Sequence, residues 1–338
     1  MISRSTLFSS PGGDTIQIIN TAKYLRVLNV DVDIRTADSI INYSEYDLIH
    51  FFNIIRPADI LTHIKRTGIP FVVSTIFVDY SEYEKRNRRG VAGLLFKFLS
   101  VDQIEYLKSL ARALRNGEKI RSFYYLSHGH KKAVRHVAAK SSLLLPNSHH
   151  EYDRFESAYN ISKKYESIPN AVDPETFQLN SPPHPDFLDH IICVARIEGR
   201  KNQLGVIKAV NATGFNLSFF GSHSPNHRMY LQECRSAAAN NPLVQFFPHT
   251  KQEELVSIYR AAKVHVLASW FETTGLSTME AALMGCNIVI TDKGDTREYF
   301  EDDAYYCDPS SVQSITDAIT KAHSAPQNFR LRERILKH

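Results

Sequence analysis

Long apolar runs are missing from this 338-residue chain. A membrane-spanning helix needs about 18 or more consecutive apolar residues, and no such stretch occurs. The opening residues, MISRSTLFSSPGG, lack the apolar core of a signal peptide. Cysteine is scarce. Cys193, Cys234, Cys286 and Cys307 stand far apart, form no CxxC pair and fit no zinc spacing. Buried free thiols in a reducing compartment are expected, and hence a cytosolic protein. Matches to Asn-x-Ser/Thr, such as Asn211-Ala-Thr, are then chance. The GxGxxG fingerprint of a dinucleotide site is also missing after the first candidate strand, where the chain reads SSPGGDTIQ, and this counts against an oxidoreductase.

What is present is a strongly alternating chain. It is 43% hydrophobic, and at roughly 150 residues per domain its length suits two domains with separate cores. Candidate strands are STLFSS (5–10), VDVDIRT (30–36), DLIHFFN (47–53), PFVVSTI (70–76) and SLLLPNS (142–148). The second half adds HIICVAR (190–196), NLSFFGS (216–222), LVQFFPH (243–249), KVHVLAS (263–269) and CNIVIT (286–291). Helical patterns fall near 14–28, 57–66, 91–115, 129–139, 202–213, 225–239, 251–261, 275–284 and 311–323. Thr250 with Glu253 reads as a capping box before the helix at 251. Continuous apolar strands alternating with helices imply parallel sheets covered on both faces. The proline-rich SIPNAVDPETFQLNSPPHPDF (167–187) reads as a linker. The expected layout is a first Rossmann-like domain over 1–166, the linker 167–187, a second Rossmann-like domain over 188–325 and a tail 326–338. Two such doubly wound domains would face each other across a cleft, with ligand at the carboxyl ends of the strands.

The net charge of +4 is unevenly spread. From Lys85 to Lys140 there are 14 Lys/Arg against three acids, Asp102, Glu105 and Glu118. The basic residues interleave with apolar ones in GVAGLLFKFLSV and LKSLARAL. One reading is a solvated helical face over an ordinary core. The other is a surface for an anionic membrane or a pyrophosphate-linked lipid. No nucleic-acid-binding motif accompanies the charge, so no nucleic-acid partner is expected.

Two stretches carry chemistry. In SWFETTGLSTMEAALMG (269–285), Gly275 joins a strand to a helix whose first N–H groups lack intrahelical partners and offer an anion site. Glu272 would project from the strand end. Glu280, five residues past Gly275, would lie about 7–8 Å further along the axis. A ligand with phosphates in the middle and hydroxyls at both ends, such as a nucleotide sugar, fits that spacing. In VARIEGRKNQ (194–203), Arg196, Arg200 and Lys201 cluster at another strand's carboxyl end, where they could neutralise a diphosphate. The alternatives are ordinary: a helix cap and a solvated glutamate in the first stretch, and surface charges on a βα loop in the second. No Asp-x-Asp appears in a cleft loop, and neither a metal site nor a cofactor is expected.

Together these residues resemble the family-4 retaining glycosyltransferases, which have the GT-B fold. Glu272 and Glu280 match their E-x7-E motif, with Gly275-Leu276 and EAALMG around it. Arg196 and Lys201 match their Arg/Lys pair. SIPNAVDPETF (167–177) resembles their linker signature, with Ala171 in place of the usual glycine. TDKGDTREYF (291–300) resembles the segment after their last main strand, with Gly294 and Glu298 in matching places. Gly12-Gly13 is similar to their N-terminal glycine pair. The resemblance implies that Glu272 holds the donor sugar and Glu280 the nucleotide ribose. Thr274, Gly275 and Leu276 would face the phosphates or sugar, with Gly221 also on the donor side. Arg196 and Lys201 would stabilise the departing nucleoside diphosphate electrostatically, without a metal, and the leaving phosphate would itself take the acceptor's proton.

The chain departs from that family where many relatives carry a histidine after the fourth strand. Here the loop reads STIFVDYSEYEK, with Asp79. His50, Gly12, Gly13 and Asp79 are acceptor-side candidates, with a sheet-satisfied histidine as the other reading of His50. His128 and His130, in SHGHKK, read equally as solvated. The family's long final helix would only be starting at FRLRERILKH. The implied activity is retaining transfer of a hexose-type sugar from a nucleotide-sugar donor to a glycan or lipid-linked acceptor, in surface polysaccharide assembly such as lipopolysaccharide, O-antigen or capsule. The location would be cytoplasmic or peripheral on the inner face of the membrane. Another GT-B activity, such as nucleotide-sugar epimerisation, and a non-catalytic sugar-binding subunit remain as alternatives.

Overall fold

A computed structural model describes residues 1–87, 99–116, 120–327 and 329–337. Arg88, Arg89 and the segment GVAGLLFKF of the basic stretch therefore lie outside the described residues. The chain divides into two compact units, Met1–Asn170 and Ala171–His338. Each is a parallel sheet with helices on its faces.

The first unit holds strands β1 (Ile2–Ser3), β2 (Arg35–Thr36), β3 (Ile49–Phe52), β4 (Phe71–Ser74) and β5 (Leu143–Leu145) in the order β2-β1-β3-β4-β5. The central strands are largely apolar, His50 and Ser74 apart, because both faces are covered. Val73 and Leu144 have no exposed surface. Helix Phe123–Lys140 packs here through Ala133, Val134, Val137 and Ala138, all buried. That helix is interrupted at Gly129, whose φ of 76° is non-helical, and the helical pattern in the sequence accordingly begins only at 129.

Two sequence expectations fail in this unit. STLFSS (5–10) forms a turn instead of a strand, and β1 is the two residues before it. The cause is Arg4, whose guanidinium donates to the Thr6 carbonyl and hydroxyl at 2.8 Å and to the Ser10 carbonyl at 2.9 Å, winding the segment around itself. Leu7 is then buried while Phe8 is 59% exposed. VDVDIRT contributes only Arg35–Thr36. Two helices not anticipated from the pattern, Ser81–Asn87 and His149–Tyr159, complete the unit's described elements.

The second unit holds β6 (Ile191–Val194), β7 (Leu217–Phe220), β8 (Val244–Phe247), β9 (Val264–Leu267), β10 (Asn287–Thr291) and β11 (Tyr305–Cys307), in the order β11-β10-β9-β6-β7-β8. All neighbours are parallel. Residues after Asn170 pack onto this unit. Phe177 is fully buried against Tyr259, and Phe187 meets Phe220 and Phe247 edge-on. All four cysteines belong to this unit, each buried as a free thiol. The capping box expected at Thr250 does not form. Lys251 occupies the cap of helix Gln252–Ala261, and the Thr250 hydroxyl turns back to the Pro248 carbonyl. Strand β11 and the helices Thr296–Phe300 and Arg330–Lys337 were not anticipated. Among the described residues no helix is long and apolar enough to cross a membrane.

Candidate active site

Strands β6 and β9 lie side by side, yet the chain leaves them in opposite directions. β6 leads out to β7 and β8, and β9 leads out to β10 and β11. The loops beyond their carboxyl ends therefore part, which is where doubly wound sheets bind ligands. Both sequence motifs fall on these loops. Lys201 donates from Nζ to Glu272 Oε1 at 2.5 Å, although 71 positions separate them. The pair is largely withdrawn from water, with 20% and 8% of the side-chain surfaces exposed. A charge-assisted bond in such a place is stronger than one on the surface.

Backbone contacts fix both partners. Residues Gly199–Lys201 form a 3₁₀ turn that ends at Asn202, in the left-handed region with φ 55°. The Asn202 side-chain amide donates to the carbonyls of Ala268, at 3.1 Å, and Pro309, at 2.9 Å. Trp270 N–H donates to the Arg200 carbonyl at 2.9 Å. On the other side, Glu272 N–H donates to Lys293 and Asp295 N–H donates to the Glu272 carbonyl. Between those two bonds sits Gly294, with φ 102°, where a Cβ would come within 2.0 Å of the Glu272 carbonyl oxygen. No other residue type fits that approach. Gly221 is similarly pressed against the Ala195 carbonyl.

Arg196 is half exposed and lies 3.8 Å from Glu198, whose other oxygen accepts from Arg200 at 3.1 Å and faces His227 at 3.7 Å. Burial pushes the Glu198 pKa up, but Arg200, Arg196 and Lys201 together outweigh it, and the group is held below the usual range. His227 is pushed down, first by burial and then by the two arginines, against the opposing pull of Glu198. Neither Glu198 nor His227 was singled out from the sequence. Their contact bridges 29 positions, and nothing local signals it.

Gly275, at φ 72°, caps helix Leu276–Leu283, and Thr274 before it is buried. Leu276 is the first helical residue, so the helix's first amides start four positions after Glu272 in the chain. Glu280 sits on the second turn. Its Oε2 accepts from the Tyr259 hydroxyl at 3.0 Å and its Oε1 from Gln252 at 3.2 Å. Burial lifts its pKa to about 7, against the pull of these two hydrogen bonds.

In the first unit, Gly12 caps helix Gly13–Val27, with its N–H on the Thr15 hydroxyl, and Arg4 grips Asp14 at 2.6 Å beside it. His50 lies within β3. It bonds Ser74 across the sheet at 2.8 Å and stacks on Phe52, and burial depresses its pKa to about 3. Asp79 accepts from Ser81 N–H at 2.8 Å, in the loop after β4. That loop is pinned by the buried Glu151, which accepts from the N–H groups of Phe77 and Asn147 and from the Thr75 hydroxyl. Ile76, between Thr75 and Phe77, is held at φ 44°, a costly conformation for a β-branched residue. His130 is buried, not solvated, with its ring beside the Tyr125 hydroxyl, whereas His128 is stacked on Tyr124 at the surface. Among the described residues no group of three or more His, Cys, Asp or Glu could hold a metal ion.

Residues 176–337 match a family model described as glycosyl transferases group 1. No curated protein sequence matches the chain. Solved structures do. A sucrose-phosphate synthase from Thermosynechococcus elongatus is 15% identical over 96% of this chain and 89% of its own, with a TM-score of 0.72. Anabaena HepE in complex with UDP is 14% identical over 99% and 93%, with a TM-score of 0.69. A glycosyltransferase from Rickettsia africae is 13% identical over 99% and 93%, with a TM-score of 0.68.

Proposed function

We propose that this chain, whose residues 176–337 match the group 1 glycosyl transferases and whose fold is GT-B, belongs to that family and transfers a sugar from a nucleotide-sugar donor, with retention, to a glycan or lipid-linked acceptor. The observation that carries this reading is the Lys201–Glu272 contact at the diverging loops of β6 and β9. It brings an acid able to accept sugar hydroxyls and a cation able to meet a phosphate to one point beside a helix N-terminus. An ammonium carries three donors, so pairing with Glu272 is compatible with contact to a diphosphate. Arg196, half exposed and loosely held by Glu198, is the second cation for the departing nucleoside diphosphate. Their charge meets the charge that develops as the glycosidic bond breaks. Glu280 takes the ribose, and the loops with Gly12, Gly13 and Asp79 serve the acceptor. HepE complexes with UDP and with UDP and glucose make a UDP-sugar the first donor to try.

The cellular setting we infer is assembly of a surface polysaccharide by an enzyme resting on the inner face of the cytoplasmic membrane. The basic stretch supports it in part. Arg86 is paired with Glu82, and Lys108 with Glu84 and Glu105, but Lys131, Lys132 and Arg135 share one exposed face of helix Phe123–Lys140.

The test is thermal shift with UDP-, GDP- and ADP-sugars, followed by donor hydrolysis with and without EDTA. A bound donor raises the melting temperature by mass action, and the reading expects turnover that survives EDTA. No shift with any of the three donor classes defeats it. Loss of turnover with EDTA, restored by Mg²⁺ or Mn²⁺, defeats the assignment of the charge to Arg196 and Lys201.

A further inference from the structure

Among the described residues, no cation is paired with Glu280. Its two polar neighbours are neutral, and both come from one helix. Gln252 and Tyr259 are seven residues apart in helix Gln252–Ala261, two turns at 3.6 residues each, so they share a face. The tyrosine is fully buried within the core and the glutamine stands at the helix start, exposed. From these two places they reach the two different oxygens of one carboxylate, at 3.0 and 3.2 Å. A glutamate side chain turns easily about its last bond. Two donors on opposite oxygens remove that freedom and fix the plane of the group. A carboxylate has about four acceptor positions. Two are used here, one on each oxygen, which leaves one acceptor position on each oxygen. One acceptor on each of two neighbouring oxygens suits the two hydroxyls of a vicinal diol.

We propose that Tyr259 and Gln252 are positioning residues, which hold Glu280 as a planar two-point acceptor and so make the nucleotide site select the 2′,3′-diol of a ribonucleotide over a deoxyribonucleotide. This rests on the donor reading of Glu280 given above. Burial and the nearby carboxylate push the Tyr259 pKa well above its ordinary value, so the phenol keeps its proton and serves as a donor. The rigid ring limits where that donor can point. It packs against Phe177 and His265, and the hydroxyl follows from the packing.

The experiment is calorimetric titration of the full chain with UDP, GDP and ADP and with their 2′-deoxy counterparts. For the nucleotide that binds best, the wild-type protein is expected to prefer the ribo form by about tenfold, the loss that one charge-assisted hydrogen bond produces. Tyr259→Phe keeps the ring and removes one hydrogen bond. It is expected to weaken the ribonucleotide several-fold while leaving the deoxynucleotide nearly unchanged, so that the ratio falls toward one. A residue that only supported the fold would weaken both forms alike. Gln252→Ala, at an exposed position, should lower the ratio in the same direction and keeps the test alive where Tyr259→Phe fails to fold. A ratio that stays at the wild-type value in the soluble variants overturns the proposal, as does a wild-type preference for the deoxy form. Absence of binding by all three ribonucleotides to the wild-type chain overturns the donor reading itself, a separate result.

Discussion

Replacing Glu280 by glutamine should make the protein more stable and a poorer binder at once, and the stability gain should grow as the pH rises from about 4.5 to about 7 and stay constant above that. The carboxyl group is partly buried, and its pKa is lifted from 4.5 to about 7. A folded state that holds a proton more tightly than the unfolded chain gains from it fully below about pH 4.5. That gain is lost as the pH rises toward 7, and beyond that the ionised carboxylate weighs against folding by a constant amount. Each pH unit between the two values is worth about 1.4 kcal/mol, giving roughly 3 kcal/mol at most, and solvent at the partly exposed oxygens trims this to about 2 kcal/mol. Glutamine has the same size, keeps a carbonyl for the Tyr259 hydroxyl and does not titrate. Urea or thermal unfolding of the two proteins at pH 5 and pH 8 reads the effect. Near pH 5 the two should nearly coincide. At pH 8 the variant should be ahead by about 2 kcal/mol, or roughly 4–8 °C in Tm for a unit of this size. A stability difference of equal size at both pH values refutes the argument, because only a shifted proton makes it depend on pH.

Lys201→Ala should lower transfer or donor hydrolysis by roughly 10²–10³ and also cost about 1–3 kcal/mol, since it strands a buried carboxylate. Activity close to wild type in this variant would show that the ion pair is structural only. Gly294→Ala drives a methyl group into the Glu272 carbonyl, so turnover should fall more than tenfold while binding of a free nucleoside diphosphate, which does not need Glu272, stays within about threefold; equal losses in both would disprove that division of labour. Neutralising Lys131, Lys132 and Arg135 together should abolish co-sedimentation with anionic liposomes at low salt, each charge being worth about 1 kcal/mol near the headgroups. Equal recovery of the wild-type chain with neutral and anionic vesicles would rule out an electrostatic membrane contact.

Legibility in the sequence followed the range of the interactions. The strands of the second unit could be read because both faces of its sheet are covered, leaving mostly apolar runs such as VHVL and NIVIT with every residue buried. Glu272, Gly275 and Lys201 stood out because each lies in the loop that follows a strand, within eight residues of its end. What escaped was set at a distance or against propensity. STLFSS has a strand-like composition, but a single arginine winds it into a turn. Strand β11 is three residues at a sheet edge, with Tyr305 and Tyr306 half-buried and Cys307 buried, too short to show a period. Glu198 reads as one more charge in VARIEGRKNQ until His227, from beyond β7, is brought to it. Tyr259 reads as an ordinary core aromatic, since only its last atom touches the site.

The placement of the four cysteines gives the molecule a built-in clock. All four thiols are in the unit from Ala171 to His338, none is accessible, and burial raises the pKa of Cys193, Cys234 and Cys307 to about 12 and that of Cys286 further still. A thiol so placed is protonated and screened, and reacts with an external disulfide only when the structure around it opens. The first 170 residues contain no thiol at all. The rate at which the native chain is labelled therefore times the opening of one unit and is silent about the other. A ligand that settles on the loops of β6 and β9 would slow that clock by the amount it stabilises the closed form, without any probe having been added to the protein.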